Sequence, residues 1–270
     1  MSATSALSIT NVTKRFGGLT VADNVTFDVP LGARMALIGP NGAGKTTLFN
    51  LISGVHKIDA GSITLDGKEI KDLAPRTRVR AGLSRSFQNI RLMPHLSVVE
   101  NIMLGQHTLA TGLGSLLQPL AWQRKSVWRL RAIDSMEKAG IKVDPDAAVG
   151  GLPYGVRKKI EVVRALMSRP RVLMLDEPAA GLNPRETAEL SAFLKAVAWD
   201  GLTLLVVEHD MSFVNDLCDH TVVLNFGRMI YNGPTEGVHV DPQVREAYLG
   251  TRKSAKDSIK DSAKEAGHVA

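Results

Sequence analysis

The chain has 270 residues, 44% of them hydrophobic, and a formal net charge of +6. That length supports one large domain or two interlocked lobes around a substantial core, and no apolar run approaches the ~20 residues of a membrane span. Its one cysteine, Cys218, excludes an intrachain disulfide, suits a reducing compartment and reads as a small core residue. Met1 to Ala6 lacks the charged stretch and apolar core of an export signal, so none is expected. The basic excess lies in Arg76-Arg78-Arg80, Arg124 to Arg131 and Arg157-Lys158-Lys159, a spread that suits solvent or a membrane surface. Aromatics make up only 5% of the chain, so a base-stacking platform, and with it a nucleic-acid partner, is not expected.

The first third is strand-rich. Leu7 to Val12 and Val25 to Val29 alternate, and Ser62 to Ile70 reads as a hairpin turning at Asp66-Gly67. Between them the apolar run Arg34 to Ile38 leads into Gly39-Pro40-Asn41-Gly42-Ala43-Gly44-Lys45-Thr46 and a helix from Thr46 to Ile52. Two glycines with four residues between them, then lysine and a hydroxyl residue, make a phosphate loop. The glycines let the backbone curl so that N–H groups converge on a phosphate chain. Lys45 supplies charge for the outer phosphates and Thr46 a hydroxyl for Mg2+. Gly39 through Thr47 are therefore the candidate ATP-binding residues.

The middle turns helical from about Ser97 to Met167, opened by the capping box Ser97 to Glu100. Gln106 to Trp128, long, apolar and broken by turns, either packs on this helical lobe or meets a partner. Strands and helices then alternate: Val172 to Asp176, Pro184 to Ala198, Leu202 to Glu208, Met211 to Cys218 and Thr221 to Leu224. That rhythm predicts a mostly parallel sheet with helices on its faces. The apolar run Leu173-Met174-Leu175 ends in Asp176-Glu177, the way a central strand delivers one carboxylate to a metal and another beside the terminal phosphate. The tail from Thr251 to Ala270 has one large apolar residue, Ile259, and is expected to be mobile.

Further features stand in the order found in one family. Phe16 precedes the phosphate-loop strand; Gln88 sits in Arg85-Ser86-Phe87-Gln88-Asn89; Leu152-Pro153-Tyr154-Gly155-Val156 opens a helix ahead of the Asp-Glu pair; Ala180-Gly181-Leu182-Asn183 follows that pair; and His209 ends the next strand. From about residue 7 to 250 the chain resembles the ATP-binding cassette ATPases. The resemblance implies an α/β fold: a phosphate-loop core with a mostly parallel sheet, an N-terminal antiparallel β subdomain and an inserted α-helical subdomain at about 90–167, followed by the tail 251–270. It implies that Phe16 stacks on adenine, that Thr46, Gln88 and Asp176 face Mg2+, and that Glu177, His209, Gln88 and Lys45 serve catalysis. Leu152 to Val156 would be the signature acting on the nucleotide of a second chain, and Ala180 to Asn183 the loop joining two sites.

Each feature also has a plainer reading. Phe16 could be a core aromatic and His209 a satisfied strand-end histidine, while Asn183-Pro184-Arg185-Glu186 is in any case a good helix start. The signature departs from the family's common Leu-Ser-Gly-Gly-Gln. Pro153 brings neither hydroxyl nor N–H and Val156 no amide, leaving the Gly155 N–H, the positive end of its helix and the charges of Arg157, Lys158 and Lys159.

Within the family, Leu152 to Gly155, Leu175 to Pro184, Val207 to Met211 and Ala247 to Gly250 resemble the larger ATP-binding subunit of bacterial branched-chain amino acid importers. That resemblance implies a second ATPase subunit, or a second copy, as dimer partner. It also implies two membrane permease subunits, an external substrate-binding protein, and a place on the inner, cytoplasmic face of the cell membrane. Related importers take amides, urea or aromatic acids, and the other proteins choose the substrate. Two alternatives stand beside import: a nucleotide-gated switch with little hydrolysis, and a soluble family member acting on nucleic acid.

Overall fold

The computed structural model describes residues 5–86, 90–109, 126–199 and 201–248. Its N-terminal sheet is built from β1 (Ser5–Phe16), β2 (Leu19–Pro30), β4 (Ala60–Leu65) and β5 (Lys68–Glu69), in the order β2-β1-β4-β5. All three pairings are antiparallel. Asp66 and Gly67 both have positive φ, 49° and 74°, as the tight hairpin turn between β4 and β5 requires. β1 and β2 each run to twelve residues, well beyond the alternating stretches expected. Register shifts along β1, with Asn11 at φ 52°, carry the pairing past the break in alternation.

The second sheet runs β10-β9-β3-β8-β7-β6. β3 (Arg34–Ile38), β6 (Leu83–Arg85), β7 (Val172–Asp176), β8 (Thr203–Val207) and β9 (His220–Asn225) are parallel, and β10 (Arg228–Pro234) closes the edge antiparallel to β9. β7 and β8 are buried at every residue, which is why their sequences are continuous apolar runs. Alternate residues serve opposite faces. Met174 joins the core shared with the antiparallel sheet and α1 (Lys45–Ile52), while Leu173 and Leu175 pack towards α6 (Pro184–Trp199) and α7 (Met211–Leu217).

Between β6 and β7 the chain leaves the sheet for α3 (Val98–Met103), α4 (Val127–Lys138) and α5 (Tyr154–Leu166). These share a third apolar cluster that includes Val99, Ile102, Met136, Ile160 and Val163. Ser97 caps α3 as expected, accepting from the Glu100 N–H while the Glu100 carboxylate accepts from the Ser97 N–H. Segment 110–125 and the tail lie outside the described residues. No helix among the described residues is long and apolar enough to cross a membrane.

One basic stretch departs from expectation. Arg78, on α2 (Pro75–Arg80), is only 2% exposed. Its guanidinium donates to the carbonyls of Leu51 and Ile52 at the end of α1 and to those of Leu73 and Lys71. The charge answers the negative end of the phosphate-loop helix rather than an outside partner. Cys218 is buried as expected, and burial pushes its thiol up to about 12.

Candidate active site

The register of the parallel sheet assembles the site. Leu37 and Asp176 both pair with Val207, so β3, β7 and β8 end level. The phosphate loop, Glu177 and His209 therefore leave the sheet at one edge, the carboxyl end where parallel α/β sheets bind ligands. Gly39 (φ 152°) and Gly44 (φ 102°) show why the loop is glycine-rich. A Cβ on Gly39 would strike the Leu224 carbonyl, and one on Gly44 would lie 2.5 Å from that of Val21. The loop is thus wedged between β9 and the antiparallel sheet, with no room for a side chain at Gly39 or Gly44. Lys45 curls back across it, its ammonium donating to Gly39 O at 2.6 Å and Pro40 O at 3.0 Å. Burial lowers the Lys45 pKa while the nearby Glu177 carboxylate opposes that shift.

Glu177 takes a left-handed φ of 47°, unusual for a residue with a side chain. Its N–H donates to Val207 O at 2.9 Å, and Lys158 Nζ reaches its carbonyl at 3.5 Å. The turn that follows is tied down by Glu208, which is 1% exposed. One Glu208 oxygen accepts from the Ala179 N–H at 2.7 Å, the other from the His209 N–H at 3.1 Å. A single buried carboxylate thus links the loop after Glu177 to the loop carrying His209. Burial raises the Glu208 pKa, and the N–H donors only partly offset this. The His209 ring stands exposed.

Asp176 is buried and paired with Arg85 at 2.6 Å. The donor set fits magnesium: a hydroxyl on Thr46 and a carboxylate on Asp176 are the hard oxygens that ion takes, with the remaining positions left to phosphate and water. Gln88 lies outside the described residues. Phe16, at the end of β1, is 44% exposed, edge-to-face with His56 at 5.3 Å and under the Lys14 ammonium.

Tyr154 and Gly155 meet a different part of the same chain, whereas Leu152 and Val156 pack on the third apolar cluster. A Cβ on Gly155 would strike the Glu186 carboxylate, and one on Gly181 would meet the Tyr154 ring at 3.1 Å. Asn183 Oδ1 accepts from the Glu186 N–H and the Glu186 carboxylate accepts from the Asn183 N–H, each at 3.0 Å. Asn183 is therefore a helix cap in this chain. Lys158 is buried rather than facing outward, Lys159 pairs with Glu189, and Arg157 lies over the Tyr154 ring.

Sequence reasoning passed over Arg85, Glu208 and Tyr248 as supports of the site, and gave Lys158 only as a charge beside the signature. Tyr248 lies in the helical stretch 242–248, where a backbone hydrogen bond from Gly39 partly offsets the upward push of burial on its phenol. Only the charge of Arg85 and Glu208 beside apolar strands could have signalled them.

The family model described as "ABC transporter" matches residues 22–180. The chain is 40% identical to the high-affinity branched-chain amino acid transport ATP-binding protein BraF of Pseudomonas aeruginosa, over 90% of this chain and 97% of that protein. It is 38% identical to the corresponding protein LivG of Escherichia coli with the same coverage. Among solved structures, the ADP conformation of MJ1267, an ATP-binding cassette of an ABC transporter, superposes with a TM-score of 0.81 at 30% identity, covering 91% of this chain and 99% of that one.

Proposed function

This chain belongs to the ABC transporter family as an ATP hydrolase, and from that premise we propose that it powers the import of branched-chain or related amino acids. The observation that carries this reading is the identity along nine-tenths of the chain with proteins of that transport class. In this reading the phosphate-loop N–H groups and Lys45 stabilise charge on the transferring phosphoryl group. Glu177 polarises the attacking water, His209 and Gln88 hold the reacting groups in line, and Phe16 receives the adenine. Thr46, Asp176 and Gln88 would hold magnesium, which would supply charge neutralisation at the phosphates.

The signature Leu152 to Val156 serves the nucleotide of a second chain, a sibling ATPase or another copy. Its packing on the cap at Asn183 supports this, since it stands on the loop after Glu177 of its own chain. Two permeases and an external binding protein complete the complex, and the chain sits peripherally on the inner face of the membrane. A hollow of about 350 Å3, lined by Arg85, Ser86, His107, Glu161 and Arg164, lies between the sheet and the helical unit. It supports docking of the permeases there, with the nearby exposed Met93 and half-buried Leu96 as contacts.

The test is to tag the Glu177→Gln form, extract membranes gently with Mg-ATP and identify what co-purifies. Two polytopic proteins plus a second ATPase support the importer, and uptake assays then name the substrate. Recovery of the chain alone, or with nucleic acid, overturns it. Wild-type turnover as slow as that of Glu177→Gln would instead indicate a switch, a reading favoured only by Pro153 and Val156.

A further inference from the structure

Arg85 is the last residue of β6, two positions before the undescribed stretch 87–89. Its side chain is 11% exposed. One guanidinium nitrogen donates to Asp176 Oδ2 at 2.6 Å. Another donates to Asn50 Oδ1 at 2.7 Å and Ser53 Oγ at 3.1 Å, on the last turn of α1 and just past it. The guanidinium also lies over the Phe49 ring, 5.5 Å from its centre. One side chain therefore ties together the strand carrying the buried carboxylate, the far end of the helix opened by the phosphate loop, and the end of β6.

The charges require such a group. Asp176 is 4% exposed, and a buried carboxylate needs a counter-charge or it becomes costly. A bound Mg2+ ion would bring positive charge to the site; among the described residues Arg85 is the cation paired with Asp176, with Lys158 also within electrostatic reach. We infer that Arg85 is a positioning residue that serves as the resident counter-charge of Asp176. It holds the carboxylate paired and oriented when no Mg-nucleotide is bound, and so supports the fold in that state. The inference rests on the reading of Asp176 as a magnesium-facing group.

The experiment compares thermal unfolding of the full chain without nucleotide, with ADP and EDTA, and with Mg-ADP. Arg85→Gln should lower the nucleotide-free midpoint by about 5–10 °C, because it leaves a buried charge unpaired. Mg-ADP should recover much of that loss, so the stabilisation by magnesium over ADP with EDTA exceeds that of wild type. Arg85→Lys, which keeps the charge, should restore part of the midpoint. Adding Asp176→Asn to Arg85→Gln should make the double variant more stable than Arg85→Gln alone.

If Arg85→Gln cannot be purified folded, the double variant decides: recovery of folding supports the inference, and continued misfolding overturns it. Equal losses with and without Mg-ADP overturn it as well, since Arg85 is then only cement between α1 and the sheet. Wild type that gains nothing from magnesium over ADP with EDTA overturns the magnesium reading of the site itself, and the inference falls with it.

Discussion

Among single residues, Glu177 couples a strained backbone to the chemistry proposed for it. A left-handed φ on a residue with a side chain costs about 1–3 kcal/mol and persists only where the surroundings over-determine it; here the Val207 carbonyl and the turn held by Glu208 do so. Glu177→Gln should lower kcat by roughly 10²–10⁴-fold with nucleotide affinity retained, as measured by steady-state turnover and ADP titration. Glu208 makes a separate prediction. Burial lifts its pKa above the ordinary carboxylate value, so between the two values the folded chain holds a proton that the unfolded chain has released. Stability attributable to this group therefore falls as pH rises from the ordinary carboxylate range through the raised value. The melting difference, wild type minus Glu208→Gln, should shrink over that window.

Asp176, Glu177 and the phosphate loop were legible in the sequence because their spacing along one strand or turn is their geometry. Glu208 was not. It looked like the polar end of an apolar run, and its partners at Ala179 and His209 depend on two strands lying side by side.

At the level of helices and strands, ends matter most. The boxes at Ser97 and Asn183 could be read from four consecutive residues, since a cap is a local hydrogen-bonding pattern. Ser97→Ala and Asn183→Ala should each cost about 1 kcal/mol in chemical denaturation. The end of α1 is different. Its carbonyls are met by Arg78, which comes from a short helix beyond the hairpin. Arg78→Met should destabilise the chain by about 2–4 kcal/mol, because charge-assisted bonds to buried carbonyls are lost and the carbonyls have no substitute. A loss of a few tenths, as for a surface arginine, would show that the helix end finds water instead.

For the whole molecule, the sheet is the common wall of two apolar layers, and Cys218 lies within the layer that packs on α6 and α7. With its thiol pushed up to about 12, it should resist alkylation at pH 8 until the fold opens. Labelling kinetics in increasing denaturant should follow global unfolding; rapid reaction in native buffer would mean that this layer opens on its own.

The order of motifs along the chain, the alternation of strands and helices, and the two carboxylates after an apolar run already determined the nucleotide chemistry and the class of fold. These signals survive in one dimension because each depends on residues within a few positions of one another. Only the tertiary structure decided which charges face inward. Arg78, Arg85, Lys158 and Glu208 are ionisable in any conformation, and whether such a group meets solvent or a buried partner depends on segments far along the chain, 91 residues away for Arg85 and Asp176. Burial makes such pairs consequential, because removing water leaves each charge with only the partner that the fold supplies.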